Sequence, residues 1–284
     1  MDEIIGKARV LIEALPYIQR FRDKYVVVKL GGSMINDREC VVGIIQDVVF
    51  MEQVGMRPVL VLGGGPLVSA EMKKRGKEAV FVEGRRVTDE ETLEIMETVF
   101  IEQLLPWVAE RISGFGGRSE VFTHRSVSVV RAERSPDEAL GLVGEPAKVN
   151  AEAIRKACAD YSIGVIGPLC PDGQGRLLNV NADHIASAVA GALDAAKIVF
   201  LSGVSGVLRD GEDNESLITH LGRNEVDTLV RDGTITAGMQ PKVESCLRAL
   251  DAGVRKAHIV DGRTPHSLLL EIFTDKGIGT EIVQ

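Results

Sequence analysis

Short apolar runs alternate with longer amphipathic runs along this chain. The apolar runs are rich in β-branched residues and have the length of buried strands; they lie at 25–30, 58–62, 163–167, 197–202 and 257–260. The longer runs repeat their apolar residues at helical spacing, which predicts helices at 38–54, 66–75, 88–112, 150–159, 182–192, 225–232, 241–252 and from about 265. This alternation indicates an α/β fold with a mainly parallel sheet.

Three local patterns add detail to this outline. Thr88 and Glu91 form the pattern of a capping box at the start of the helix over 88–112, in which Pro106 predicts a kink. The segment 118–131 alternates weakly and predicts a hairpin. Residues 1–23 predict an N-terminal helix, kinked or divided at Pro16. Its apolar face must cover either its own subunit or a partner, and the residues alone favour neither.

Composition excludes several classes of protein. The 284 residues carry a net charge of −8 with a pI near 5.3, which argues against a nucleic-acid partner. No stretch of about 18 apolar residues is present, so no membrane span is predicted. The N-terminus begins acidic and does not resemble a signal peptide. The four cysteines and five histidines show no metal-ligand spacing, so we predict no protein-held metal and a reduced, cytoplasmic location.

Two of the predicted strands end in glycine turns. Lys29 closes the first strand and is followed by Gly31 and Gly32, and the second strand runs into Gly63, Gly64 and Gly65. Glycines expose backbone N–H groups without a Cβ, and a helix N-terminus favours anions. The turns match neither the GxxxxGK[ST] loop nor the GxGxxG fingerprint. Because ligands bind beyond the carboxyl ends of parallel strands, the pair of turns predicts an anionic ligand between them.

Further polar residues stand where helices begin. Lys242 lies at the start of an apolar helix, where its charge opposes the helix dipole unless an anion lies in front of it. Arg86 precedes another helix and could hold a carboxylate with two parallel hydrogen bonds. Asn179, Asn181 and Asp183 cluster around a third helix start. There a helix-capping role and a functional role carry equal weight.

Eight motifs along the chain resemble those of the amino acid kinase family, in the family's order and at similar spacing. They are KLGGS, LGGGP, RRVTDEE, GLVGEP, NVNAD, SGVSGVL, GTITAGMQPKV and the tail HIVDGRTPHSLLLEIFTDKGIGT. The resemblance implies a three-layer αβα sandwich with an open, mainly parallel central sheet. Within the family the match is to the branch that phosphorylates the side-chain carboxylate of N-acetyl-L-glutamate with ATP and Mg²⁺ in arginine biosynthesis.

The resemblance also implies a role for individual residues. Lys29 and Lys242 match the lysines that flank the transferred phosphoryl group, and Asp183 matches the carboxylate that positions both. Two further sets follow from the same motifs. The acceptor-binding set is Gly64, Gly65, Arg86 and Asn179. The ATP-binding set is Gly31, Gly32, Ser202, Gly203, Gly238 and Met239.

The chain ends resemble those of arginine-inhibited, hexameric members of the family. The resemblance implies an arginine effector site at Tyr17, His258, Glu271 and Gly277. It also implies three parts of the chain: an oligomerising helix at 1–23, an acceptor-binding and dimer-forming lobe at 24–178, and an ATP-binding lobe at 179–284. The N-terminal helices would then join dimers into a homohexamer, which favours a partner as the cover of their apolar face.

Two segments depart from the family's patterns. The helix segment ETVFIEQLLPWVAER replaces a Gly-Lys-x-Asn pattern, and FTHRSVSVVRAE replaces an LSGKDG-like hairpin. Leu62 also stands where the family's first glycine triplet usually follows a histidine. Two alternatives therefore stay open: a related kinase that acts on another carboxylate, and a weakly active arginine-sensing paralogue.

Overall fold

The computed structural model describes residues 2–211, 213–236, 238–274 and 277–284. Its strands group into one large, one intermediate and one small sheet. The strands are β1 Tyr25–Leu30, β2 Arg57–Leu62, β3 Phe81–Val82, β4 Arg85–Arg86, β5 Ser119–Phe122, β6 Val130–Arg134, β7 Val143–Val149, β8 Ile163–Ile166, β9 Leu169–Pro171, β10 Leu177–Val180, β11 Lys197–Ser202, β12 His220–Gly222, β13 Lys256–Asp261 and β14 Thr280–Val283.

The α-helices occupy most of the segments that the hydrophobic periodicity predicts. They are α1 Asp2–Phe21, α2 Arg38–Gln53, α3 Gly65–Lys74, α4 Glu90–Glu97, α5 Leu105–Gly114, α6 Ala151–Ala159, α7 Ala182–Ala192, α8 Arg223–Arg231, α9 Gln240–Asp251 and α10 Ser267–Ile272.

The large sheet has eight strands in the order β12-β14-β13-β11-β1-β2-β8-β5. Its pairs are parallel except β13 with β14, which is antiparallel. Alternate residues of β1 face opposite sides, so Val27 joins the core under α7 and α9, whereas Val26 and Val28 join the core under α2 and α5. Helices thus cover both faces, which confirms the three-layer αβα sandwich.

The long helix that follows β4 begins and bends differently from the prediction. Asp89, not Thr88, is its N-cap and accepts from the N–H of Thr92 at 2.8 Å. Thr88 instead pairs with Gly141 in an isolated bridge, so the predicted capping box is wrong. A π-helical segment, Thr98–Leu104, joins α4 to α5 just before Pro106. The wider π turn suits a residue that lacks the N–H needed for the usual i−4 bond.

The predicted hairpin over 118–131 is also wrong. β5 is the parallel edge strand of the large sheet beside β8, whereas β6 lies antiparallel to β7 in the four-stranded sheet β6-β7-β10-β9. Weak alternation indicated two strands correctly, but it carries no information on which partner each strand takes.

The N-terminal helix α1 is continuous through Pro16, so its division in two is excluded. Leu11 and Ile12 on this helix are 67% and 68% exposed, while Phe21 at its end is buried. In the part of the chain that the structure describes, no helix is both long enough and apolar enough to cross a bilayer. The predicted lobe boundary at 178/179 falls within β10, and the division into lobes stays a prediction.

Candidate active site

Lys29 and Asp183 form an ion pair at the carboxyl edge of the large sheet. Lys29 lies on the same face of β1 as Val27, the face that α7 covers. Asn181 caps α7 by accepting from the N–H of Asp183 at 2.8 Å, and this cap fixes the first turn. The Asp183 carboxylate then lies 2.6 Å from the Lys29 ammonium, and both side chains are largely buried. The capping interpretation of the Asn179–Asp183 segment is therefore confirmed for Asn181, and the functional interpretation stays a prediction for Asp183.

Lys242 brings a second ammonium toward the same pair. It stands in the first turn of α9 and donates to the carbonyl of Gly238 at 3.3 Å. Burial, together with the like charge of Lys29, lowers the pKa of Lys242, while Asp183 opposes that shift. Two ammonium groups near one carboxylate leave a positive charge uncompensated. The arrangement therefore favours an anion between the lysines.

The two glycine turns pack directly against each other. The N–H of Gly63 donates to the carbonyl of Leu30 at 2.9 Å, and a Cβ at Gly32 would lie 3.1 Å from the nitrogen of Gly65. The Gly31 N–H donates to the carbonyl of Leu201 at 2.9 Å. It is therefore engaged between strands, and the donor role expected of it toward phosphate is wrong.

The second turn opens α3 without a side-chain cap. Gly64 is the N-cap and makes no side-chain capping bond, so the first-turn N–H groups face the cavity with the positive end of the helix dipole. The aromatic ring of Phe100 lies under this turn. A Cβ at Gly64 would be 2.6 Å from Cζ of Phe100, which is itself only 1% exposed.

This contact gives a first prediction. Gly64→Ala should raise the acceptor KM and lower the melting temperature, because the methyl group and the buried ring of Phe100 cannot both keep their places. Adding Phe100→Leu should recover part of both losses by vacating that space. Gly173→Ala is the control, since a Cβ there meets nothing within 4 Å and Gly173 does not line the cavity. Equal losses for both alanine variants would contradict the steric explanation.

Arg86 is a buried guanidinium beside the α3 N-terminus. One terminal nitrogen donates to the Gly65 carbonyl at 2.9 Å and to Ser69 Oγ at 2.7 Å, and the other lies 3.0 Å from Met72 Sδ. Its residue exposure is 8%, and burial lowers its pKa. Within the described residues these partners are all neutral. A buried cation held only by neutral groups favours a carboxylate in the adjoining cavity.

Arg86 and Lys29 line one cavity of about 270 Å³ at the ends of β1 and β2. Asn179 also lines it and donates from its amide to Thr88 Oγ1 at 3.0 Å. Arg85 and Asn181 line it too, and the larger apolar side chains of the wall are Val68, Phe81, Met96, Phe100, Val143, Pro168 and Val180. The residues that line it include no aspartate or glutamate. The cavity therefore presents cations and apolar surface to its ligand.

A second cavity, of about 340 Å³, lies on the other side of Lys242. Gly203, Ser33 and Asp37 are among the residues that line it. At the end of β11 the Ser202 hydroxyl is buried and lacks a hydrogen-bond partner among the described residues. Gly238 accepts from Lys242 and Met239 caps α9, so both lie beside the lysine as the motif predicts.

The four residues predicted for an effector site line a third cavity, of about 540 Å³. Tyr17 of α1 meets His258, Glu271 and Gly277 there. Nδ1 of His258 lies 2.6 Å from Oε1 of Glu271. Oε2 of Glu271 accepts from the N–H groups of Ile278 and Gly279 at 2.7 and 3.0 Å.

Glu271 is therefore more engaged than the sequence indicated. Both carboxylate oxygens of Glu271 have partners in the structure. Glu271 is therefore not a free carboxylate that could hold a guanidinium with two parallel hydrogen bonds. Gly277 has φ +61, and a Cβ there would lie 2.6 Å from Oε2 of Glu271. Its glycine is thus required by close approach to the carboxylate.

Sequence reasoning missed two features of these cavities. Lys197 begins β11, is 8% exposed and lines the third cavity, where burial lowers its pKa and Glu271 and Glu281 oppose that shift. A lysine opening a wholly apolar strand run was an available signal. Phe100 lies within a predicted helix, and nothing in the local pattern marks it as part of the acceptor cavity.

Comparison with known proteins shows which protein family this chain matches. The model of the amino acid kinase family matches residues 24–261. An acetylglutamate kinase of Pelotomaculum thermopropionicum is 43% identical over 287 residues, covering 97% of each chain. An acetylglutamate kinase of Caldanaerobacter subterraneus is 44% identical, covering 99% of this chain and 94% of its own.

Solved structures give the same fold. N-acetylglutamate synthase from Neisseria gonorrhoeae, complexed with coenzyme A and N-acetyl-glutamate, superposes with a TM-score of 0.85 at 25% identity; the match covers 98% of this chain but 63% of the synthase. Carbamate kinase from Giardia lamblia superposes with a TM-score of 0.66 at 17% identity, covering 92% and 99% of the two chains. The second likeness concerns the fold alone.

Proposed function

Because this chain belongs to the amino acid kinase family, we propose that it transfers the γ-phosphoryl group of ATP to the side-chain carboxylate of N-acetyl-L-glutamate, a reaction of arginine biosynthesis. The single observation that carries this proposal is that Lys29, the ion-pair partner of Asp183, lines the first cavity, which we call the acceptor cavity, while Lys242 lines the second cavity. Full-length identity of 43% to an acetylglutamate kinase supports the choice of acceptor.

The reaction needs positioned charge more than covalent catalysis. A carboxylate oxygen of the acceptor attacks the γ-phosphorus, the bond from that phosphorus to the β–γ bridging oxygen breaks, and ADP leaves with the electron pair. Negative charge spreads over the transferred group, where Lys29 and Lys242 stabilise it. The Asp183 carboxylate holds the Lys29 ammonium in place through their ion pair at 2.6 Å. The first-turn N–H groups of α3 add donors on the acceptor side.

Mg²⁺ belongs to the nucleotide in this proposal. Mg²⁺ in nucleotide sites takes phosphate oxygens with one or two carboxylates, and Asp183 supplies a carboxylate beside the lysines. The ion would neutralise phosphate charge when the nucleotide binds.

The cavity lining discriminates between acceptors. A free amino acid carries an α-ammonium group that needs a carboxylate partner when it is buried. The acceptor cavity offers cations and apolar surface but no acidic lining residue. An acylated nitrogen carries no charge, and its acyl carbons can contact the apolar wall. An N-acyl dicarboxylate with its α-carboxylate on Arg86 therefore suits the cavity better than glutamate.

The test is turnover of ATP with three acceptors. N-acetyl-L-glutamate should be phosphorylated at a kcat/KM at least about a hundredfold above that of L-glutamate, since an unpaired buried charge costs several kcal/mol. N-acetyl-L-aspartate, one methylene shorter, tests reach toward the lysines. Preference for another carboxylate would support the related-kinase alternative. No turnover, with arginine binding retained, would support the sensing paralogue.

The third cavity suggests a regulatory function for the same enzyme. L-arginine carries a carboxylate and a guanidinium, and the cavity holds the buried ammonium of Lys197 and the carboxylate of Glu281. Oε1 of Glu271 lies 2.6 Å from Nδ1 of His258 and keeps a lone pair that can accept one further N–H. Arginine would inhibit only if it binds a less active arrangement more tightly. The exposed Leu11, Ile12 and Leu15 of α1 support a hexamer in which these helices contact partners.

This regulation is testable by truncation. Removing residues 1–22 should give an active dimer that no longer responds to arginine, because Tyr17 and the exposed face of α1 are lost together. The full chain should be a hexamer with sigmoidal arginine inhibition. Light scattering and activity against arginine concentration measure both properties. As a control, Leu11→Asp should break the hexamer while retaining Tyr17. A full-length dimer indifferent to millimolar arginine would refute the regulation and leave the kinase proposal intact.

A further inference from the structure

Three titratable side chains, Arg85, Glu145 and His184, form one continuous cluster. Oε1 of Glu145, on β7, accepts a hydrogen bond from Arg85 of β4 at 2.8 Å. Oε2 of the same carboxylate lies 2.5 Å from Nδ1 of His184. The three side chains are 29%, 34% and 17% exposed for Arg85, Glu145 and His184. Arg85 also lines the acceptor cavity, whereas Glu145 and His184 line neither that cavity nor the effector site, and the proposed chemistry gives none of the three a role.

Two residues of this cluster are next in sequence to proposed functional residues. Arg85 directly precedes Arg86, the proposed acceptor clamp, and His184 directly follows Asp183, the partner of Lys29. One carboxylate thus holds the neighbours of two functional residues that lie on separate elements. Moving Glu145 would change the spacing between the acceptor clamp and the phosphoryl site.

The β3–β4 hairpin, which carries Arg86, is joined to the neighbouring four-stranded sheet by the Arg85–Glu145 ion pair. β3 and β4 form a two-stranded sheet that belongs to neither larger sheet. Val80 and Phe81, just before and at its start, are 57% and 52% exposed, so its apolar residues add little to the hold that Arg86 has on Gly65 and Ser69. Glu145, by contrast, is on a strand that pairs with β6 and with β10. The ion pair joins the isolated hairpin to this better-anchored sheet.

We propose that Arg85, Glu145 and His184 are positioning residues that set the distance between Arg86 and the Lys29–Asp183 pair. The inference rests on the proposed kinase function for its kinetic test. Burial raises the pKa of Glu145, but the hydrogen bond from His184, together with the attraction of His184, Arg85 and Arg248, holds that pKa below its usual range. Glu145 is therefore ionised near neutral pH and able to hold both partners.

The kinetic test separates positioning from general stability. Glu145→Gln should raise the acceptor KM roughly tenfold, with the ATP KM and kcat changed less than about threefold, because it loosens acceptor placement. Arg85→Met should act in the same direction, and Arg85→Lys should recover part of the loss. Asp251→Asn is the control, since it removes a comparable 2.6 Å pair between elements, with Arg223, far along the chain from the cluster.

A coupling test asks whether the three residues act as one unit. If Glu145 is the bridge, Arg85→Met and His184→Phe should each have little further effect in the Glu145→Gln background. Additive effects would overturn the cluster as a unit. Equal rises in the acceptor KM and the ATP KM would overturn its assignment to acceptor placement.

A readout independent of turnover keeps this inference separate from the function. Hydrogen exchange of the amides at 80–87 should be faster in Glu145→Gln than in the native chain and unchanged in Asp251→Asn. If exchange at 80–87 is faster in Glu145→Gln but the native chain phosphorylates none of the acceptors, the kinase proposal is refuted and the positioning role of Glu145 stands. Unchanged exchange at 80–87, with a native acceptor KM, would overturn the inference even if the kinase proposal holds.

Discussion

Lys242→Ala is expected to lower kcat by about a hundredfold or more, with smaller changes in both KM values. One preorganised donor at a developing anion is worth about 3 kcal/mol, and Lys242 is one of two ammonium groups beside Asp183. Burial and the like charge of Lys29 lower the pKa of Lys242, so both disfavour its charged ammonium form. A bound phosphoryl group would offset this effect with its negative charge. Steady-state kinetics with saturating ATP and acceptor measures the effect.

The matched control is Lys156→Ala, which removes an exposed lysine from α6 and should leave kcat unchanged. Lys242→Arg keeps the charge but not the compact ammonium, and should recover only part of the rate. A Lys242→Ala enzyme with near-native kcat would reduce Lys242 to an ordinary residue of a helix start.

Arg86→Lys is expected to raise the acceptor KM at least tenfold while the ATP KM stays near native. The guanidinium is already held by the Gly65 carbonyl and Ser69 Oγ, so its orientation toward the cavity is fixed before a ligand arrives. An ammonium cannot hold a carboxylate with two parallel bonds, and hydrogen bonds to charged groups are worth about 1.5–3 kcal/mol. Varying each substrate at saturation of the other separates the two KM values.

Arg131→Lys is the control for Arg86, because Arg131 is an exposed arginine on β6. It should change neither KM. A raised ATP KM with an unchanged acceptor KM would move Arg86 to the nucleotide side and remove the argument for a carboxylate in the acceptor cavity.

The local elements were predictable because their signals are local. Apolar runs of strand length and amphipathic runs of helix length correctly indicated β1, β2, β11 and most helices. The ionic core of the site was also predictable. A lysine closing a buried strand and a lysine at an apolar helix start are both unfavourable without a counter-ion, and these anomalies marked Lys29 and Lys242.

Two local predictions were wrong because the residue concerned has a partner far away in sequence. Thr88 and Asp89 can both cap a helix, and the choice fell to Asp89 because Thr88 forms a bridge to Gly141, a residue far away in sequence. The Gly31 N–H likewise looked free for phosphate until β11 brought the Leu201 carbonyl within 2.9 Å. Neither long-range partner leaves a trace in the local sequence.

The sequence by itself determined most of the helices, the buried strands β1, β2, β8, β11 and β13, and which charged residues need a counter-ion, because propensity, periodicity and the cost of a buried charge act within a few residues. Tertiary structure alone decided that β5 and β6 join different sheets, that Phe100 lies against Gly64, and that Glu145 links Arg85 to His184. Those outcomes depend on contacts between residues that lie from 10 positions apart, as Arg134 and Gly144 do, to 60 positions apart, as Arg85 and Glu145 do. Packing of whole elements sets those distances, and local preference has no influence on them.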